Sequence, residues 1–411
     1  MLIFFSIFVF LILSISICKF SNQKTTTYLL IIFWYICIFL SFLDFHGFGT
    51  LQNTTYFIFL FSPLIVATGT IFHIPIRNKH KELIRFFPIK LYIFISVFVA
   101  IFFLHSIYLG FLNGFDSLRN SLQNSESGGS LGYIFFTNQI GFLYNMIAPT
   151  ILMAGIITAS TLRDKRDFFM FTLLSSLLLL IDITFLSRIY LYSIIVLFII
   201  SYINSNYKIS HIKFLFWIFS ILSLIFLVTY LRDPDRDFSA IFSIYFLDYH
   251  TIGIYLFDQS LIYNNFDSNN FIPLTFSFIS FPIEYIYRVF IDSNFIPLIY
   301  EFNNWNSIYR ELIASDGSLF YYNAFITNIY AFYYDFGIPG VILIALLYGF
   351  FLGKFNSKTN TPNMQIFANC LLLYGFLGFF NPMYLTSQSN IIGIILCIYF
   401  FHFKNSKGRI V

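Results

Sequence analysis

An all-α protein that crosses a membrane many times is the fold class this sequence predicts, and three observations predict it. The chain is 58% hydrophobic and only 10% charged, with a mean hydropathy of +0.78, whereas a soluble domain carries about a quarter charged residues. Apolar runs of membrane-spanning length recur from end to end. The basic residues between those runs alternate in a way that assigns each connection to one side of a bilayer. In such a protein lipid replaces the single water-excluding core, so the usual count of domains from length does not apply. The 60 Phe and 29 Tyr belong to the amino acids with AT-rich codons, which accounts for their number without an aromatic-specific role.

A membrane helix needs about 20 apolar residues, within roughly 17–25. Runs of this kind lie at 2–18, 28–43, 56–72, 91–111, 138–161, 168–186, 189–206, 214–230, 338–353, 365–380 and 390–403, about 11 in all. The first has no basic leader and no small-residue cleavage site, so it reads as a retained span rather than a signal peptide. Cys18, Cys37, Cys370 and Cys397 all fall inside apolar runs, which indicates no disulfide framework. The run "LLLLIDITFLSRIYLYSIIVLFIISY" belongs to a stretch, 168–203, that as one helix would extend about 54 Å against a hydrocarbon core of about 30 Å. It must break. Asp182 and the "LSR" triplet mark the break, which sets Arg188 at a membrane surface, as a ligand-binding group, a partner of Asp182 or a snorkelling anchor.

The segment 77–90, with Arg77, Lys79, Lys81, Arg85 and Lys90, is the most basic connection and reads as cytoplasmic. Alternation from there places 19–27, 163–167, 204–213, 354–364 and the C-terminus on the same side, and the N-terminus outside. All twelve lysines fall on the cytoplasmic side, and the six basic residues left outside, Arg119, Arg188, Arg232, Arg236, Arg288 and Arg310, are all arginine. Arginine differs from lysine in its planar fork of donors, which grips phosphate or carboxylate bidentately.

The chain thus divides into eight N-terminal spans (1–230), a large external loop (231–337) and three C-terminal spans (338–411). The loop contains two apolar stretches, 240–257 and 271–290, that fit the interface or re-enter the membrane, and interrupted segments at membrane depth line cavities. "RDPDRDF" (232–238) spaces Asp233, Asp235 and Asp237 like a calcium loop, but Phe238 and Ile244 stand where that loop needs Gly and Glu. Arg232 and Arg236 can grip an anion there, or pair within a solvated turn. Glu284 and Arg288 are four apart in the favourable order for a helical pair. Arg310 adjoins Glu311. His250 is the only histidine of this loop, a candidate general base beside Glu284, and Trp305 its only tryptophan. There is no phosphate-binding glycine loop, no metal-ligand spacing, no nucleophile elbow and no dinucleotide fingerprint. No cofactor or metal site is expected, and a substrate is expected to arrive from the membrane or from outside.

"YYNAFITNIYAFYYDFGIPGVILIALLYGFFLG" (321–353) resembles the Wzy-type oligosaccharide repeat-unit (O-antigen) polymerases. Asn323, Thr327, Asp335, Phe336, Gly337, Gly340 and Gly349 follow that family's pattern of Asn, Thr with aromatics, then Asp-Phe-Gly leading into a span. Arg188 in "LSRIYLY" looks like the family's arginine at the outer end of a middle span, although Leu186 stands where a glycine is usual. Some members carry, in two external loops, arginines followed eleven residues later by Gly, and none of the six external arginines here does so. The resemblance implies a GT-C-like architecture in a bacterial inner membrane. It implies transfer of a growing glycan from undecaprenyl diphosphate to a sugar hydroxyl of a fresh lipid-linked repeat unit, building O-antigen, capsule or exopolysaccharide. It also implies that Arg188, Arg232, Arg288, Arg310, Asn323 and Asp335 bind the lipid-linked oligosaccharide, with a chain-length regulator as a further partner. An O-antigen ligase uses the same donor and stays open. A polyprenyl-monophosphate-sugar transferase is disfavoured, since the first external loop offers only Asp44. A lipid-linked oligosaccharide flippase is disfavoured by the long loop.

Overall fold

The computed structural model describes residues 2–45, 47–72, 148–184, 189–205, 207–232, 247–262, 310–314, 319–322, 327–358 and 362–378, with scattered residues between them, Glu284 and Arg288 included. The chain forms two compact units, Met1–Lys79 with Phe242–Thr386, and His80–Ile241 with Ser387–Val411. The division 1–230, 231–337 and 338–411 concerns sides of a membrane and is a different question from this packing. The described residues are mainly helical, and five helical segments are long and apolar enough to cross a bilayer: Ile3–Phe20, Thr25–Phe42, Asn53–Phe72, His211–Tyr230 and Asn328–Phe355. The chain is an α-helical membrane protein. The expected spans 91–111 and 390–403 lie largely outside the described residues.

In the first unit, α1 (Leu2–Phe20), α2 (Thr25–Phe42) and α3 (Asn53–Gly69, extended by a 3₁₀ turn Thr70–Phe72) pack on one another and on α9 (Asn328–Phe355). Lipid tails are as apolar as leucine, so such helices associate through close packing and polar contacts. The sequence supplies both. Gly349 and Gly353, in "GFFLG", meet Gly69 and Thr70 so closely that a Cβ on Gly349 would stand 2.1 Å from the Val66 carbonyl oxygen and one on Gly353 2.8 Å from the Thr70 Cα. At one end of this unit Ser21 hydrogen-bonds Thr70 at 2.7 Å, and the Asn356 amide donates to Thr26 and Thr27 at 3.0 and 2.8 Å.

The expected ninth span, 338–353, is only the long arm of α9. Its helix starts earlier, at Asn328, capped by Thr327, whose Oγ1 accepts from the Tyr330 N–H at 3.2 Å. Phe336 (φ −142°, ψ 15°) and Gly337 (φ 62°, ψ −150°) leave helical geometry. The Gly337 conformation is one that essentially only glycine adopts. Beyond it Pro339 lies in the first turn of the second arm, where a missing N–H costs nothing. The two arms fold back on each other, because a Cβ on Gly340 would lie 2.5 Å from the Phe332 carbonyl oxygen. Eight residues of straight helix would separate those positions by about 12 Å.

Two further helices of this unit reach only part way. α8 (Tyr249–Ile262) runs beside α2 from the level of Phe33, which faces His250, to the end marked by Asp44. α10 (Pro362–Leu377) starts near Lys24, passes Trp34, whose indole N–H donates to the Gly375 carbonyl at 2.9 Å, and closes at Leu377. α8 covers the later half of the apolar stretch 240–257, whose residues 240–246 lie outside the described residues.

The all-α class has one exception. β1 (Arg310–Ile313) pairs antiparallel with β2 (Leu319–Tyr322), with Arg310 opposite Tyr322. Positive-φ Gly317 lies in the connection, which lets two short strands close a hairpin that composition alone did not announce.

In the second unit, α4 (Ala148–Ser160), α5 (Lys165–Thr184), α6 (Ile189–Asn204) and α7 (His211–Arg232) pack in sequence. The expected break in 168–203 is present between Thr184 and Ile189. Asp182 is fully buried, and its carboxylate accepts the Leu191 N–H at 2.7 Å. It caps the first turn of α6, which leaves three or four N–H groups without helical partners.

Candidate functional site

Three helix ends meet halfway along the first unit. α8 begins there, α9 begins there and α10 closes there. Phe33 of α2 contacts both His250 (5.6 Å between ring centres) and Phe376 (5.3 Å), while the Asn328 N–H donates to the Gly378 carbonyl at 2.7 Å. Phe33 lies nine residues inside the end of α2, a depth of about 14 Å. Irregular backbone at such depth is tolerated only where protein or a water-filled space covers it. The ends bring polar groups with them: Asp248, Thr251, Thr327 and Asn328 are all buried. A cavity of about 20 Å³, room for about one water, lies between Trp34, Ser62, Val66, Asn328, Phe332 and Tyr348. Asn328 is 7% exposed, and its Oδ1 has no hydrogen-bond partner among the described residues.

Above this level, α8 and the short arm of α9 lead to the Asp44 end. Phe257 contacts Tyr330 and Tyr333 at 6.2 and 5.3 Å, so the two partial helices rise side by side. At their top lie two carboxylates from distant parts of the chain. Asp44 accepts the N–H groups of Phe48 (2.7 Å) and Gly49 (3.0 Å) and so shapes the "DFHGFGT" turn. Asp258 of α8 accepts the Gln52 N–H at 3.0 Å and the Thr55 hydroxyl, capping α3. Tyr255 lies between them and donates to the Ser41 carbonyl at 2.6 Å and to Asp44 at 3.2 Å. Burial, and then the Asp44 charge, push the Tyr255 phenol well above its ordinary value. It is held as a neutral donor.

The residues singled out from sequence are distributed as follows. His250 is on the first turn of α8, half-buried against the Phe33 ring. Glu284, 5% exposed, and half-buried Arg288 are both helical and four apart. Arg310 opens β1. Asp335 is the last helical residue before the fold of α9, half-buried at the tip of that hairpin. Arg232 is the last residue of α7, in the second unit. Arg188, Asn323, Arg236 and Trp305 lie outside the described residues. The structure therefore brings His250 and Asp335 onto neighbouring partial helices. Sequence reasoning missed Asp258, Tyr255 and Asn328. Asp258 stands 203 positions from Thr55, and no spacing rule connects them.

No family model, curated protein or solved structure matches this chain. Function therefore rests on the chemistry of these residues. Among the described residues no group of three or more His, Cys, Asp or Glu is gathered in a way that would hold a metal. What the arrangement offers is a small cavity with the Asn328 amide at its wall, a phenol hydrogen-bonded to Asp44 close to Asp258, and a hairpin tip carrying Asp335.

Proposed function

We propose that the chain is a membrane glycosyltransferase of the oligosaccharide repeat-unit polymerase type, acting on undecaprenyl-diphosphate-linked oligosaccharides at the outer face of a bacterial inner membrane. The observation that carries the reading is the pair of partial helices, α8 and the short arm of α9, that raise carboxylates and Asp335 to one end of the bundle. On the charge pattern that end is external, the side where six arginines and no lysines fall. In the reaction the bond from the sugar anomeric carbon to the diphosphate oxygen breaks, and a bond from that carbon to the acceptor hydroxyl oxygen forms. The hydroxyl proton passes to a carboxylate or imidazole, for which Asp335, Glu284 and His250 are the candidates. Undecaprenyl diphosphate leaves, and guanidinium forks of Arg188, Arg232, Arg288 and Arg310 offset its charge. No nucleotide or metal takes part in this scheme.

A second reading is favoured by the meeting of three helix ends at half depth, which is how secondary transporters build their sites. Under it the chain carries the lipid-linked oligosaccharide across the bilayer. Gel analysis of surface glycan from a deletion strain separates the readings. Single repeat units on lipid A support a polymerase. Loss of all attached glycan overturns it in favour of a ligase or flippase. Cross-linking to a chain-length regulator tests the expected partner.

A further inference from the structure

At the end of the first unit away from Asp44, two turns distant in sequence are zipped together. The Lys24 N–H donates to the Asn356 carbonyl at 3.1 Å, the Lys358 N–H donates to the Asn22 carbonyl at 3.2 Å, and Gln23 and Ser357 form a β-bridge. The zipper brings segments 19–27 and 354–365 together, which hold Lys19, Lys24, Lys354 and Lys358 and not one acidic residue. Lys19 and Lys354 close α1 and α9, and Lys24 immediately precedes α2. All four therefore stand where three spans leave the hydrocarbon.

Lys24 is the informative member. It is half-buried, its ammonium meets the Gln365 amide oxygen, and no carboxylate among the described residues faces it. Burial pushes its pKa down from the ordinary lysine value, so its charge is penalised where it stands. The floor beneath it is polar and fixed. The Gln365 amide donates to Asn369 at 2.7 Å, Asn356 holds Thr26 and Thr27, and fully buried Gln23 keeps an oxygen without a hydrogen-bond partner among the described residues. A half-buried cation with neutral neighbours favours an anion at its open side.

We propose that these two turns form a binding site for the phosphate of an anionic phospholipid. The height of the turns, at the ends of three spans, is that of lipid headgroups. A lysine near an anionic membrane surface contributes about 1 kcal/mol, a factor of about five in affinity. The ordinary excess of cytoplasmic lysines would act diffusely, whereas this site depends on particular residues.

The test uses the purified full-length chain and native mass spectrometry, titrating phosphatidylglycerol against phosphatidylcholine. The wild type retains phosphatidylglycerol in preference, and Lys24→Gln and Lys358→Gln each weaken it about fivefold. The double variant Lys208→Gln/Lys213→Gln removes twice the charge of either single variant, around the start of α7, and leaves the retention unchanged. Should Lys24→Gln fail to fold, exposed Lys19 and Lys358 serve in its place. Equal weakening by both sets of variants reduces the site to bulk charge and overturns the proposal. So does equal retention of the two lipids, and so does displacement of phosphatidylglycerol by millimolar inorganic phosphate, which would make free phosphate the ligand.

Discussion

Substituting Gly349 by alanine should drive α3 and α9 apart. A Cβ there would stand 2.1 Å from the Val66 carbonyl oxygen, 2.9 Å from its carbon and 3.0 Å from the Gly69 Cα. Backbone atoms cannot rotate away as a side chain can, so the helices must separate by about an ångström, and overpacking of this kind costs about 1–3 kcal/mol. Against it stands the gain of up to about 1 kcal/mol for alanine over glycine in a helix. At the upper end the net loss is about 2 kcal/mol, which lowers the folded-to-unfolded ratio about thirtyfold. Gly155→Ala is the control, since its Cβ would meet only a Leu197 methyl at 3.9 Å, so the propensity gain remains. Cys18 and Cys37 are buried free thiols, and a thiol-reactive fluorophore reads their exposure during heating. The melting midpoint should fall by several degrees for Gly349→Ala and hold or rise for Gly155→Ala. Equal midpoints for the two variants would refute the close crossing of α3 and α9, and with it the reason for glycine at 349 and 353.

Three further outcomes are expected. Asp182→Ala removes the cap from the Leu191 N–H and should cost about 1–2 kcal/mol; faster amide exchange at the start of α6, largely restored by Asp182→Asn, is the readout. The Tyr255 phenol is raised by burial and by Asp44, so its stabilising contribution is complete below the unfolded value of about 10 and is lost as pH rises past it. Stability measured against pH should fall more steeply above pH about 10 in the wild type than in Tyr255→Phe. Under the proposed reaction Arg188→Lys should shorten glycan chains almost as much as Arg188→Ala, a loss of about 10²–10³ in rate, because lysine keeps the charge and loses the fork; wild-type chain lengths with lysine at 188 would make this residue an anchor.

Membrane residence, the apolar first helix and the start of the long arm of α9 at 338 were legible because they depend on local composition. So was the break between α5 and α6, which follows from counting residues against bilayer thickness. The break left its cause visible as Asp182, although that carboxylate serves as a cap for the next helix, a role that length arithmetic cannot assign. That 240–257 holds a helix among apolar neighbours was legible from its content, but its packing partner was not. A stretch such as "TIGIYLF" reads the same whether it lies on a surface or descends to Phe33.

Composition and spacing by themselves determined that this chain lives in a membrane as helices, roughly where those helices run, and which arginines and carboxylates are candidates for chemistry. Tertiary structure alone decided that α9 doubles back at Phe336–Gly337, that α8, α9 and α10 have ends at one level, that Asp258 caps α3 and that Tyr255 of the same helix donates to Asp44. The physical reason is range. Transfer of apolar residues into lipid is summed along the chain and can be read from it. A backbone contact between Gly340 and Phe332, or a carboxylate capping a helix two hundred positions away, exists only once the chain has closed on itself.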